Sequence, residues 1–276
     1  MITTLATYFL IMVGALVRAA GAGMGCPDWP RCFDRWIPPT DVSQVPASID
    51  PALFNVRLAW IEYINRLLGV SIGIFIFITL VLALRHYRQT PRVLWPTIGA
   101  FLGVGFEGWL GSKVVASDLD PRIVTVHLLV ALLVVSLLLY ATVCAFFPGG
   151  RPLPSLPPAR KKLGNVTFGV LGVLLLQIGL GAWLRGELER IAERSPELAR
   201  ASWIDHADVV DPLHRFVALV VAFLVVGLFL WVRRSFRESF WLVTIATVCV
   251  ALLAAQILSG LVLAEAGLPA AIQVVH

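Results

Sequence analysis

The chain has 276 residues, a net charge of +5 and a mean hydropathy of +0.85, with 58% hydrophobic and 14% charged residues. Such a composition excludes an ordinary soluble domain, in which roughly a quarter of the residues are charged. A nucleic-acid-binding function is also excluded, because the basic residues lie in short loops beside apolar segments and form no single basic surface.

Apolar segments long enough to cross a bilayer recur along the chain, since roughly 20 apolar residues span it as a helix. Seven segments meet or approach this length, at about 3–21, 60–84, 93–113, 122–147, 163–184, 212–232 and 239–264. An eighth begins near Pro269 and stops at His276 after about two turns. The sequence therefore predicts an all-α polytopic membrane protein of eight helices, with the last helix missing or truncated.

Polar residues in and beside these segments repeat at a spacing of 149 residues. The corresponding pairs are Glu62 with Asp211, Asn65 with His214, Arg66 with Arg215, Glu107 with Gln256, Gly111 with Gly260, and His127 with His276. We therefore predict two pseudo-repeated four-helix bundles, an N-terminal half at 1–147 and a C-terminal half at 163–276, joined by a cytoplasmic linker at 148–162.

The loops that are richest in arginine and lysine indicate the orientation of the helices. The connections at 85–92, 148–162 and 233–238 carry these residues, so we place them on the cytoplasmic side together with the N-terminus. The loops at 22–58 and 185–211 mix both signs of charge and are predicted to lie outside. This orientation puts the repeated histidine positions at the outer ends of their helices, at one depth.

Four corresponding positions, Asn65, His127, His214 and His276, suit a haem better than a bare metal ion. Two histidines alone under-coordinate a metal ion, whereas a porphyrin supplies four nitrogens and needs only two axial ligands. Helix-bundle interiors commonly hold such cofactors. The spacing of these residues therefore predicts haem binding.

Four arginines are predicted to lie near the aqueous boundary of these sites. Arg66 and Arg215 each follow a ligand position, and Arg18 and Arg185 are predicted to end the first helix of each half. Guanidinium groups form charge-assisted hydrogen bonds with carboxylates, so we expect these arginines to contact haem propionates.

Cys26 and Cys32 lie in the first predicted outer loop, on the side of a membrane where disulfides persist. Two interpretations stay open. The pair is either a structural staple or a redox-active pair that passes electrons or helps to handle a cofactor. A zinc site is disfavoured, because no histidine accompanies the pair and zinc takes four ligands.

The segments GALVRAAGAGMGCPDWPRC, WIEYINRLLG, HLLVA and DPLHR, with a third helix that ends in a glycine pair, resemble the haem A synthase family. The resemblance covers essentially the whole chain, and the cysteine-containing loop and the EYxxR helix start are its specific parts. It implies an eight-helix enzyme that oxidises the C8 methyl group of haem O to a formyl group, giving haem A for terminal oxidases.

The resemblance also implies roles for individual residues. A resident haem b is expected between His214 and His276 in the C-terminal half, and the substrate haem O is expected in the N-terminal half. Glu62 falls on a glutamate that the family needs for turnover, and Cys26 with Cys32 matches a pair found in many members.

Asn65 departs from the family pattern, which has a histidine at this position. An asparagine amide is a poor iron ligand, so His127 alone is expected to hold the iron of haem O. Either the sixth position is open for dioxygen or peroxide, or this half no longer catalyses. We favour the open site, because Glu62, Arg66 and His127 remain, and we expect Glu62 to act as a proton relay or carboxylate partner beside the methyl group.

The implied partners are haem O, the haem O synthase that supplies it, and membrane lipid, in the cell membrane of a prokaryote with the haem sites and cysteine loop toward the outer face. The sequence does not identify an electron donor, and a homo-oligomer stays open. The alternative functions are a di-haem b-type electron-transfer cytochrome and a haem carrier. Ligation by His214 and His276 suits the cytochrome, whereas the asymmetric Asn65 position does not.

Overall fold

The protein, described by a computed structural model for residues 1–147 and 157–276, is almost entirely α-helical. Its helices are α1 (Ile2–Ala19), α2 (Val56–His86), α3 (Pro91–Ala116), α4 (Pro121–Phe146), α5 (Pro157–Arg194), α6 (Val210–Ser235), α7 (Phe240–Glu265) and the short α8 (Ala270–Val275). In these residues the only β-type pairing is an isolated bridge between Cys32 and Arg35. Seven of the described helices are long and apolar enough to cross a membrane, which confirms the predicted all-α membrane class.

The chain divides into two compact units, Met1–Gly150 and Arg151–His276, here called the N-terminal unit and the C-terminal unit. In the N-terminal unit α1 packs against α2 and α4, and α3 packs between α2 and α4, so the four helices close a bundle. In the C-terminal unit α5, α6, α7 and α8 pack in chain order.

The core of the N-terminal unit combines apolar packing with hydroxyl contacts between helices. Its buried apolar side chains are Ile72, Ile76, Ala100, Val134 and Leu138. Thr3 Oγ1 lies 2.7 Å from Thr79 Oγ1 on α2, and Thr4 Oγ1 lies 2.9 Å from Thr142 Oγ1 on α4. Hydroxyl groups that bond across helices stabilise packing in a bilayer, so these pairs fix α1 to both of its neighbours.

The core of the C-terminal unit lies largely along one face of α6. Val217, Val221 and Val225 follow one another at intervals of four residues, which places them on the same face of the helix. They pack with Val170 and Leu180 of α5. The close packing of α5 and α6 fixes the position of the residues at the start of α6, where His214 lies.

Helix α5 extends beyond the predicted segment at 163–184. It continues to Arg194 because its last three turns carry helix-compatible charge pairs, Arg185 with Glu189 at 2.9 Å and Glu187 with Arg190 at 2.6 Å. The prediction that Arg185 ends the helix is therefore wrong, whereas Arg18 is the penultimate residue of α1. The predicted linker at 148–162 lies partly outside the described residues, and α5 begins within it at Pro157.

The turn between α3 and α4 and the turn between α7 and α8 share one backbone geometry. Their left-handed residues are Asp118 (φ 50°), Leu119 (φ 63°), Gly267 (φ 69°) and Leu268 (φ 59°). In each turn the leucine N–H donates to a carbonyl of the preceding helix, at 3.0 Å from Leu119 and 3.1 Å from Leu268, as in a common helix C-cap. His127 and His276 each lie eight residues after that leucine, so both turns lead to a histidine that the sequence predicts as a ligand.

Candidate functional site

The C-terminal unit brings two predicted haem ligands together. The ring centroids of His214 on α6 and His276 after α8 lie 6.4 Å apart, with the ring planes at 75°. A metal held between two imidazoles, at metal–nitrogen distances of about 2 Å, sets the ring centres roughly 6 Å apart. The observed separation therefore fits axial ligation of one haem iron by both histidines.

Each of these histidine rings packs against a glycine. A Cβ atom added at Gly181 would lie 3.1 Å from His214 Cε1, and one added at Gly260 would lie 2.9 Å from His276 Cε1. Any larger residue at Gly260 would force the ring to move. The glycines therefore keep space for the two imidazoles.

The polar partners of both rings are neutral. Gln177 Nε2 lies 3.1 Å from His214 Nδ1 and 3.3 Å from its Nε2, and Ser259 Oγ lies 2.9 Å from His276 Nδ1. The backbone carbonyl of Gln256 also lies 3.2 Å from His276 Nδ1. Ligand histidines usually use their second nitrogen in this way, which fixes the orientation of the ring.

The N-terminal unit places the corresponding histidine beside a carboxylate. His127 Nδ1 on α4 lies 2.8 Å from Glu107 Oε2 on α3, an ion-pair distance at an angle that falls short of a hydrogen bond. The other carboxylate oxygen, Glu107 Oε1, is buried and has no hydrogen-bond partner. Gly111 lies near the ring, with an added Cβ 3.9 Å from His127 Cε1.

An acid–arginine pair flanks the ligand position in each unit. Glu62 Oε1 lies 3.0 Å from Arg66 Nε, and Asp211 Oδ2 lies 2.8 Å from Arg215 Nε. The first pair is buried, with side chains 9% and 12% exposed, whereas the Arg215 side chain is 55% exposed. Asn65 is half-buried on α2, one turn after Glu62.

Arg66 has further partners that the sequence did not predict. Its Nη1 donates to the carbonyl oxygens of Asp28 at 2.7 Å and Arg31 at 2.8 Å, and its Nη2 donates to that of Cys26 at 3.2 Å. Arg66 therefore holds the cysteine loop, residues 26–32, against the start of α2. A propionate contact at Arg66 would have to be made alongside these bonds.

A disulfide joins Cys26 and Cys32, whose Cα atoms lie 4.7 Å apart. Both cysteines are buried in a small cluster with Phe33 and Ala59. The carboxylate of Asp28, inside the loop, accepts hydrogen bonds from the backbone N–H groups of Phe33 and Asp34 at 2.6 and 2.9 Å. Burial in a packed cluster favours a structural staple, because reactive cysteines are usually accessible.

The remaining predicted arginines differ in their surroundings. Arg185 pairs with Glu189 on α5 and also hydrogen-bonds to Gln273 of α8. It therefore links two helices of the C-terminal unit close to His276. The propionate contacts expected for Arg18, Arg66, Arg185 and Arg215 stay predictions.

Sequence reasoning did not assign the side chains that contact the histidine rings. These are Glu107, Gln177 and Ser259. A signal for one of them was present, because Glu107 is among the polar positions that recur at a spacing of 149 residues.

Three curated relatives of this chain are named Heme A synthase. The Heme A synthase of Shewanella oneidensis is 28% identical over 220 residues, which cover 78% of this chain and 64% of that protein. The Heme A synthase of Shouchella clausii is 25% identical over 264 residues, covering 94% of this chain and 83% of that protein. The Heme A synthase of Bacillus cereus is 29% identical over 124 residues, or 45% of this chain and 35% of that protein.

The match thus spans less than two thirds of the Shewanella relative and about a third of the Bacillus relative. The sequence model of the COX15-CtaA family, described as cytochrome oxidase assembly protein, matches residues 1–276. Because that match covers the whole chain, the chain belongs to the COX15-CtaA family of cytochrome oxidase assembly proteins.

Proposed function

We propose that this chain is a haem A synthase, an oxidoreductase that converts the C8 methyl group of haem O to a formyl group and so supplies haem A to a terminal oxidase. The family and the names of the relatives support this reaction. The observation that carries the proposal is the difference between the units. The predicted site of the C-terminal unit has two histidine rings 6.4 Å apart, and that of the N-terminal unit has one histidine, an asparagine and a buried carboxylate.

His214 and His276 would hold the resident cofactor of the C-terminal unit, a haem b. When bound, it would supply one-electron transfer. Gln177 contacts the His214 ring and Ser259 contacts the His276 ring at Nδ1, and these contacts help to fix the orientation of the two rings. Their neutral contacts and the adjacent glycines keep both imidazoles in place as ligands.

The substrate site lies in the N-terminal unit, where His127 binds the iron of haem O on one side. Asn65 is a weak ligand, so the opposite side stays free for the oxidant. Replacing two hydrogens of a methyl group by one oxygen is a four-electron oxidation. With dioxygen as the oxidant it yields one formyl group and one water, so the hydrogens that leave the carbon have to be moved to oxygen as protons. Glu62 accepts these protons, because it is a buried carboxylate one turn from Asn65 and is held at Oε1 by Arg66.

The protein lies in a prokaryotic cell membrane with its N-terminus in the cytoplasm and both sites toward the outer face. The short connections after α2 and after α6 support this orientation, because basic residues flank both of them. A cysteine loop on the outer face is consistent with a stable disulfide. The haem O synthase that supplies the substrate and membrane lipid are the expected partners.

The test is expression with a haem O synthase in a host that makes no haem A. Pigments are extracted from the membranes and separated by chromatography, with cells that lack this chain as the control. We expect haem A, with or without a hydroxylated precursor. Unmodified haem O together with full haem loading of the protein would overturn the enzyme proposal and leave the cytochrome or the carrier.

A further inference from the structure

Glu107 is the only acidic side chain that contacts a histidine ring at the described ligand positions. It reaches from α3 to α4, where its Oε2 atom lies 2.8 Å from His127 Nδ1. Its side chain is 13% exposed, and its Oε1 atom is buried without a hydrogen-bond partner. A carboxylate inside a membrane-spanning segment is costly unless it has a partner, so the contact with His127 requires an explanation beyond packing.

The corresponding ring in the C-terminal unit is held differently. His276 Nδ1 contacts the Ser259 hydroxyl and the Gln256 carbonyl, and position 256 carries an amide where position 107 carries an acid. Both groups that contact His276 are neutral. The two histidines therefore share a place in the fold but differ in the charge of their partner.

This difference has a chemical consequence for any metal bound by His127. Because Glu107 occupies the Nδ1 side of the ring, Nε2 is the nitrogen left for a metal. A negative charge 2.8 Å from Nδ1 polarises the imidazole and makes it a stronger electron donor at Nε2. Its negative charge also favours ferric over ferrous iron, because the ferric state carries one more positive charge.

We propose that Glu107 is a positioning residue that makes His127 a strongly donating iron ligand and lowers the reduction potential of the haem bound in the N-terminal unit. This inference rests on the proposed function, since it requires haem at His127. It assigns to Glu107 a role that no neutral residue can replace. A purely structural link between α3 and α4 would instead affect stability and leave the potential unchanged.

The experiment is a spectroelectrochemical titration of the purified, haem-loaded protein in lipid nanodiscs. The component that disappears in His127→Ala is assigned to the N-terminal unit, and the component that persists is assigned to the C-terminal unit. In Glu107→Gln we expect the reduction potential of the N-terminal component to rise by about 59 mV. For one electron this is a tenfold change in the ratio of reduced to oxidised haem. The iron–histidine stretching frequency of the reduced site should fall in the same variant.

The C-terminal component is an internal control and should not move in Glu107→Gln. Ser259→Ala is the matched variant of the other unit and should leave the N-terminal component unchanged. Glu107→Asp keeps the charge and should recover part of the wild-type potential. It also serves as the second test if Glu107→Gln fails to fold.

Two negative results are distinguishable. If His127→Ala removes no haem component, haem does not bind there, and both the proposed function and this inference fail. If the component is present but keeps its potential and its stretching frequency in Glu107→Gln, the role of Glu107 is overturned and the proposed function stands.

Discussion

In the N-terminal unit the arginine that follows the ligand position is 12% exposed and donates to Glu62 and to three carbonyl oxygens of the cysteine loop. In the C-terminal unit the corresponding Arg215 is 55% exposed, and within residues 1–147 and 157–276 its ion-pair partner is Asp211. The predicted ligand positions differ in the opposite sense, because those of the C-terminal unit bring two histidine rings together and those of the N-terminal unit carry one histidine, His127. The N-terminal unit therefore fixes a carboxylate, and the C-terminal unit brings together two histidines that we propose as metal ligands.

This comparison shows how one helix pattern serves two purposes. The acid and the arginine keep their spacing of four residues in both units, so helix geometry pairs them in both. Burial then decides the effect of each ion pair. A buried pair holds the groups around it in place, whereas an exposed pair contributes little to the stability of the protein. The four variants below separate these two purposes.

The largest effect is expected from His214→Ala, which should remove the resident haem of the C-terminal unit. Losing one of two axial ligands leaves the iron without its partner across the ring. The low-spin absorption of the purified protein should therefore disappear. His206→Ala, at an exposed loop histidine, is the control and should keep the full spectrum. A low-spin haem that survives in His214→Ala would contradict the ligand assignment.

Glu62→Gln should reduce haem A formation by at least about 100-fold, the usual range for loss of a group that transfers protons. The glutamine keeps the size of the side chain and cannot take up a proton. Haem content should stay at the wild-type value, and the product is measured by chromatography. Asp211→Asn is the matched change in the C-terminal unit, and we expect this variant to continue to form haem A. Equal product from wild type and Glu62→Gln would exclude the role.

Arg66→Ala should destabilise the protein by about 3 kcal/mol, because it leaves a buried carboxylate and three loop carbonyls without their donor. Arg215→Ala should cost less than about 1 kcal/mol, since its ion pair is largely exposed. Unfolding of both variants in detergent, followed by circular dichroism against denaturant, compares them directly. Similar losses of stability would show that burial does not distinguish the two pairs.

Asn65→His should change the spectrum of the N-terminal unit more than its stability. An imidazole at this position supplies the second axial ligand that the amide lacks, so the iron becomes six-coordinate and low-spin. The wild type, once reduced, should bind carbon monoxide at this site, and the variant should not. Asn65→Gln keeps an amide and should still bind it. Failure of the wild type to bind carbon monoxide would show that the site is not open.

The fold was largely predictable because hydropathy and helix length are strong signals in a membrane protein. All seven long helices lie where apolar segments predicted them. The boundary of α5 was not predictable in the same way, because the segment after Trp183 is charged and resembles a loop. Its ion pairs at three- and four-residue spacing become visible only when the segment is already assumed to be helical.

The sequence predicted which positions form the candidate site, but it did not predict the groups that these residues contact. Repetition at 149 residues identified the histidines and the acid–arginine pairs. It could not show that Arg66 turns toward the cysteine loop, because that depends on where the chain returns after residue 26. Nor could it reveal that Glu107 contacts His127, since the packing of α3 and α4 decides which side chains meet.

The paired turns before α4 and α8 have a consequence for protein engineering. Each holds two successive left-handed residues, and the first is the exposed Asp118 in one unit and Gly267 in the other. Most L-residues pay about 1 kcal/mol or more for this backbone conformation, and glycine does not. Asp118→Gly should therefore be tolerated and raise stability by about half a kcal/mol, after the entropy cost of glycine is subtracted. A residue that occurs at one of the two turns is therefore a suitable substitution at the corresponding position of the other turn.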